Sequence, residues 1–167
     1  TPHVWREINN PNKHVSVQVA PAVRVAIAEA FGQDPGTIST GKVVMALRRL
    51  GFNSVFDTNF AADLTVIEEA HEFVERVKAG GRLPMLTSCC PAWVNFIEQQ
   101  FPNLVDVPST CKSPQQMMGA ITKTYYAKEA NLDIHNLVTV AIMPCVAKKA
   151  EASKEGFNDD GGRDVDY

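Results

Sequence analysis

The chain has 167 residues, 45% of them hydrophobic and 21% charged, a balance that suits one compact domain and excludes a disordered polymer. Sixteen basic residues against nineteen acidic ones leave a net charge of −3, and no long cationic run breaks that balance. Nucleic acid and anionic membranes are therefore excluded as electrostatic partners.

In chain order, residues 1–13 are polar and irregular, and His14 to Val19 alternates through Val15, Val17 and Val19 as a strand does. After Ala20-Pro21 an apolar-periodic helix is expected from Val23 to Phe31, and Gln33-Asp34-Pro35-Gly36 is a loop. Thr40 caps a helix through Val43, Val44, Leu47 and Leu50 that stops at Gly51. Ser54 to Asp57 is a short strand. The longest helix runs from Ala61 to about Ala79, with Leu64, Ile67, Phe73 and Val77 on its apolar side and Gly80-Gly81 at its end.

Leu83 to Thr87 reads as a buried strand that delivers the chain to Cys89 and Cys90, and Pro91 then opens a helix to Phe101. Ser109 and Cys111 lie on a loop. Ser113-Pro114 starts a helix through Met117, Ile121 and Tyr125, and Leu137 to Met143 is a continuous apolar strand reaching Pro144-Cys145. Arg163 to Tyr167 reads as the opening of another strand. Alternating strands and helices predict an α/β fold with an open, mainly parallel sheet flanked by helices. The stretch around Leu137 is far shorter than the roughly 20 apolar residues that span a bilayer, and Thr1-Pro2-His3-Val4-Trp5 has no signal-peptide pattern. The expectation is a cytoplasmic protein with no membrane partner.

The cysteines carry the chemistry. Four thiols in a reducing compartment favour catalytic or metal roles over disulfides, and the absence of Cys-x-x-Cys argues against zinc ribbons and thioredoxin-like work. Cys90 and Cys145, 55 residues apart, each lie beside a proline where a strand is expected to turn into a helix. That placement sets both at the carboxyl edge of a parallel sheet, where a helix N-terminus favours the thiolate that binds iron. Cys89 points away from Cys90 on an extended chain, so one thiol ligates while its neighbour stays a free acid. Lys148, three residues beyond Cys145, shares its helix face and offers an ammonium to a small anion. Glu69, Glu72 and Arg76 form one helical stripe, which is either a solvated face or a line of carboxylates leading protons toward a thiol. The histidines, His3, His14, His71 and His135, are scattered without metal-ligand spacing.

Thr87-Ser88-Cys89-Cys90-Pro91-Ala92-Trp93 and Met143-Pro144-Cys145-Val146-Ala147-Lys148-Lys149-Ala150-Glu151 resemble the first two signature motifs of the FeFe-hydrogenases. Ala20-Pro21-Ala22-Val23-Arg24 and Ser113-Pro114-Gln115-Gln116-Met117 resemble the same family, so the likeness covers residues 14–167 as one lobe of a two-lobed catalytic domain. The resemblance implies an H-cluster: a 4Fe–4S cubane joined to a diiron subcluster with CO, cyanide and a bridging dithiolate. Cys90 and Cys145 would be metal ligands, and Cys89 would pass protons onward through Glu69, Ser109, Glu72 and Arg76. Lys148 would hydrogen-bond a cyanide, Met143 and Pro21 would pack the diiron pocket, and Gln115 would line its edge. Where some relatives carry serine after the proline, this chain has Ala22.

The third signature, which supplies the other two cysteines of the cubane, does not occur in these residues, and Cys111 does not replace both. The resemblance therefore implies a partner, a C-terminal hydrogenase segment or subunit carrying the remaining ligands, together with ferredoxin or another electron carrier. On its own the chain is expected to be inactive. The rival expectations are a hydrogenase-like iron–sulfur scaffold or assembly protein, whose members generally lack the first of the adjacent cysteines, and a hydrogen-sensing homologue.

Overall fold

A computed structural model describes residues 1–154, 158–159 and 162–167. Three parallel strands, β1 (His14–Val19), β2 (Ser54–Asp57) and β3 (Leu137–Ile142), form a sheet in the order β2-β1-β3. Val17 lies opposite Val55 on one side and Val140 on the other. Alternation sorts the two faces of β1. Val15, Val17 and Val19 join Val138 and Val140 in the apolar core, beneath Val43 and Leu47 of the helix Thr40–Leu50. Ser16 and Gln18, buried on β1, and Thr139 of β3 meet a more polar layer.

Numbered along the chain, the helices begin with α1 (Pro2–Ile8), which replaces the irregular opening expected of residues 1–13. Val4 and Ile8 of α1 pack against the core, so the segment helps to cover the sheet. The expected helix from Val23 to Phe31 divides into α2 (Val23–Ala26) and a 3₁₀ turn, Glu29–Phe31. α3 (Thr40–Leu50) begins one residue after Ser39, whose hydroxyl donates to the Arg24 carbonyl instead of capping the helix. At its end Gly51 has φ of 105°, and a Cβ there would meet Ile8 of α1 at 2.7 Å. Both the backbone angle and the close approach call for glycine.

α4 (Thr58–Ala79) starts earlier than expected because Asp57 accepts the Asn59 N–H as its N-cap. It buries the small residues Thr58, Ala61 and Thr65, and Thr65 donates to the sulfur of Met117, on the helix Pro114–Ile121, at 3.1 Å. The stripe expected to be its apolar inner side is in fact largely open: Ile67, Phe73 and Val77 are all exposed. Helical periodicity identified an apolar face, but the buried contact formed on the smaller side chains.

α5 (Pro91–Gln100), α6 (Pro114–Ile121), α7 (Ala127–Glu129) and α8 (Ala147–Ala152) complete the helical layer. Between α6 and α7 the helix widens into a π-turn at Thr122–Tyr126, and there the Tyr126 hydroxyl hydrogen-bonds Ser54 at 2.6 Å. The end of the chain runs along β3. Tyr167 donates its N–H to the Thr139 carbonyl and accepts from the Ala141 N–H, the slanted pattern of a parallel ladder beside Val140. A two-residue hairpin, β4 (Asn158–Asp159) with β5 (Gly162–Arg163), precedes it. Gly119 of α6 lets this segment approach: a Cβ there would lie 2.3 Å from the Asp164 carbonyl oxygen.

Among the described residues no helix is long and apolar enough to cross a membrane.

Candidate functional site

One turn of α4, from Glu72 to Arg76, organises the loop that carries Ser109. Arg76 donates to Glu72 from Nε at 3.0 Å and from a terminal nitrogen at 2.6 Å, the helical i, i+4 pair expected from spacing. The same guanidinium reaches the main-chain carbonyls of Asp106 and Pro108, each at 2.9 Å. Glu72 then accepts the Ser109 hydroxyl at 2.9 Å and the Thr110 N–H at 2.9 Å. Burial raises the Glu72 carboxyl, but the Arg76 guanidinium, the Thr110 N–H and hydroxyl and the Ser109 hydroxyl outweigh it, so the net shift is downward. Cys111 brings its thiol to 3.6 Å from Glu72. Burial pushes that thiol up against the pull of the Ser109 hydrogen bond, and the Glu72 and Glu69 charges push it further.

The segment leading to the adjacent thiols is held differently from the sequence expectation. Residues 83–87 do not form a strand of the sheet; Leu86 makes a single bridge to Pro108, with the Leu86 N–H on the Val107 carbonyl at 3.0 Å and the Ser109 N–H on the Leu86 carbonyl at 2.7 Å. Leu83 and Leu86 are exposed. Cys90 therefore does not stand at the end of a sheet strand. It is the N-cap residue of α5, with the buried Pro91 at the first helical position and no side-chain capping bond from the sulfur. Ser88 anchors the turn by donating its hydroxyl to the Cys111 carbonyl at 2.9 Å and its N–H to Glu69 at 3.4 Å.

Of the proposed proton line, the structure thus joins Glu72 to Ser109 and to Arg76, while Glu69 meets the main chain of the cysteine turn. Among the described residues no hydrogen bond links Glu69 to Ser109 or to the Cys89 sulfur. A cleft of about 310 Å³ lies between these parts, lined among others by Ser88, Pro91, Ser109, Cys111 and Glu151.

The second junction follows β3. Met143 and Cys145 lie just beyond its carboxyl end, as Pro21 lies beyond that of β1, so these three share one edge of the sheet. Lys148, on the first turn of α8, donates to the Cys89 carbonyl at 2.7 Å and to Glu151 at 3.0 Å. This contact ties the two cysteine junctions together. Gln115 is buried, donates to the Lys148 carbonyl at 3.2 Å, and gives its own carbonyl to Gln18 at 2.9 Å. Glu151, Gln18 and Thr110 are members of these networks that residue patterns did not single out, and Cys111, weighed in the sequence only as a cubane ligand, is another. Only Glu151 left a signal, its i+3 spacing from Lys148.

Cys89, Cys90 and Cys145 are exposed and all four thiols are free. Exposed thiols at helix-opening turns, Cys90 and Cys145, have the chemistry that suits soft iron ligation, and two thiols would be half of the four that a cubane takes. Among the described residues no group of three or more His, Cys, Asp or Glu could hold a metal. The donor set fits an iron–sulfur cluster only as a part-site.

The model of a family described as the iron only hydrogenase large subunit, C-terminal domain, matches residues 13–167. The NADP-reducing hydrogenase subunit HndD of Solidesulfovibrio fructosivorans is 54% identical, with 98% of this chain and 30% of that protein covered. The cytosolic iron-sulfur assembly component 3 of Mus musculus is 37% identical over 86% of this chain and 31% of its own length. Among solved structures, an apo FeFe-hydrogenase from Chlamydomonas reinhardtii superposes with a TM-score of 0.92 at 44% identity, over 99% of this chain and 43% of that one. The chain thus spans under a third of these curated relatives.

Proposed function

Because the chain belongs to the iron-only hydrogenase large-subunit family, we propose that it is part of a catalytic domain that interconverts protons and electrons with molecular hydrogen, 2H⁺ + 2e⁻ ⇌ H₂. The observation that carries this reading is the Lys148 hydrogen bond to the Cys89 carbonyl, which joins the two cysteine junctions beside the Glu72 network. When bound, the H-cluster supplies an electron-storing cubane and an iron that handles hydrogen. In this reading Cys90 and Cys145 are two of its thiolate ligands, and the other two come from a C-terminal hydrogenase segment or subunit. Met143 and Pro21 pack the cofactor pocket, Gln115 borders it and Lys148 holds a cyanide.

Cys89 is then the general acid and base, exchanging its thiol proton with the reacting centre. Glu69, placed by Ser88, takes that proton toward Ser109, and Glu72 and Arg76 lead it to solvent. Ferredoxin or another carrier provides the electrons. A cytoplasmic setting belongs to the same proposal, on the chemistry of the unpaired thiols alone.

The likeness to an iron–sulfur assembly component supports a second reading, a scaffold that holds a cluster without hydrogen turnover. Hydrogen evolution by the full-length protein, matured anaerobically, separates the two. The expected result is activity in the wild type and a loss of at least about 100-fold in Cys89→Ala, with iron content retained. Full turnover by Cys89→Ala removes Cys89 from the proton route. Iron without hydrogen evolution in the wild type favours the scaffold.

A further inference from the structure

We propose that Glu151 is a positioning residue, whose buried carboxylate holds the Lys148 ammonium against the main chain of the adjacent-cysteine turn and so fixes how the two cysteine junctions face each other. Glu151 is 6% exposed, and one of its oxygens accepts both the Lys148 ammonium and the Ser113 hydroxyl at 3.0 Å. Ser113 is itself 1% exposed and is the N-cap residue of α6. The carboxylate is therefore fastened to α6 on one side and to Lys148 on the other.

Lys148 is held at both ends. Its carbonyl accepts from Gln115, whose carbonyl accepts from Gln18, whose side-chain oxygen in turn accepts the Thr58 hydroxyl at 3.1 Å. Contacts thus run from β1 and the start of α4 through the buried Gln18 and Gln115 to Lys148, and from there out to the exposed turn at Cys89. An ammonium drawn into this largely covered place, beside a neutral carbonyl, is costly without a countercharge. Glu151 supplies it. An ammonium has three N–H donors, and among the described residues Lys148 uses two acceptors, Cys89 and Glu151.

An ordinary helical ion pair looks different. Lys78 and Glu75 on α4 also pair at i, i+3, but at 3.6 Å and with side chains 69% and 75% exposed, where such pairs contribute almost nothing. The Lys148 and Glu151 side chains are 15% and 6% exposed, and a third group is engaged.

The orienting role rests on the chain's own contacts; its consequence for turnover rests on the hydrogenase reading. The test uses the full-length protein as wild type, Glu151→Gln and Glu151→Asp. In metal-free protein, acylation of Lys148 by an N-hydroxysuccinimide ester, followed by mass spectrometry, should speed up at least about fivefold in Glu151→Gln. Glu151→Asp should fall between the two, and the exposed Lys78 should be unchanged in all three. In the loaded protein the infrared cyanide bands should move in Glu151→Gln and return toward wild type in Glu151→Asp. Should Glu151→Gln fail to fold, Ser113→Ala releases the same carboxylate and should raise Lys148 labelling by a smaller factor. Unaltered Lys148 labelling in the folded variants overturns the proposal. A wild type that makes no hydrogen while Glu151→Gln still unmasks Lys148 overturns the hydrogenase reading and leaves Glu151 in its place.

Discussion

The edge of the sheet that carries Pro21, Met143 and Cys145 is held by a parallel backbone ladder above a core of valines, with β1 paired on both sides. The turn that carries Cys89 and Cys90 has no ladder beyond one bridge, and it depends on the side chains of Ser88, Glu72, Arg76 and Lys148. The two sets of candidate ligands thus belong to regions with different kinds of rigidity. Apolar burial and repeated backbone bonds resist single substitutions collectively, whereas a polar junction concentrates its strength in a few groups.

The strongest challenge to the sheet side is Gly119→Ala. Its Cβ would press on the Asp164 carbonyl, which is main chain and tied through its neighbours to β3, so a loss of about 3 kcal/mol is expected in denaturant unfolding. Wild-type stability would mean that the segment ending at Tyr167 is not packed as described. On the polar side, Glu72→Gln should cost about 2 kcal/mol, because the Arg76 guanidinium keeps its place after losing its charged partner. Hydrogen exchange should quicken at Ser109 and Thr110 and stay unchanged in β1; equal acceleration in both regions would erase the contrast between them.

Acid should produce a gentler form of the same effect. Glu72 titrates below its ordinary value of 4.5 in the folded chain, so its contribution is present above that value and is lost as pH falls through the lower, folded one. Hydrogen exchange at Thr110 across this interval should loosen in the wild type and be nearly flat in Glu72→Gln. Identical profiles would remove Glu72 as the source.

How far these features can be read in the residues follows the same division. β1 was visible through its alternating valines, β3 through its apolar run, and α3 and α4 through the glycines that end them. α1 was not visible, because Val4 and Ile8 gain their burial from a core made by distant segments. Nor could periodicity say that Ile67, Phe73 and Val77 would stay open, since it marks a face and not its neighbour. In the site, the Glu72–Arg76 pair followed from helical spacing, and the adjacent thiols from their motif. Thr110 contributes through its N–H as well as its hydroxyl, and Gln18 through a carbonyl 97 positions away, contacts that local sequence does not encode.

The hold that Lys148 takes on residue 89 is on a carbonyl, a handle that every amino acid offers equally. Identity at that position is consequently free to drift without unhooking the turn from α8. Shape and reactivity become separable traits here: a descendant that discarded the sulfur would keep the architecture of its ancestor and lose only the acid.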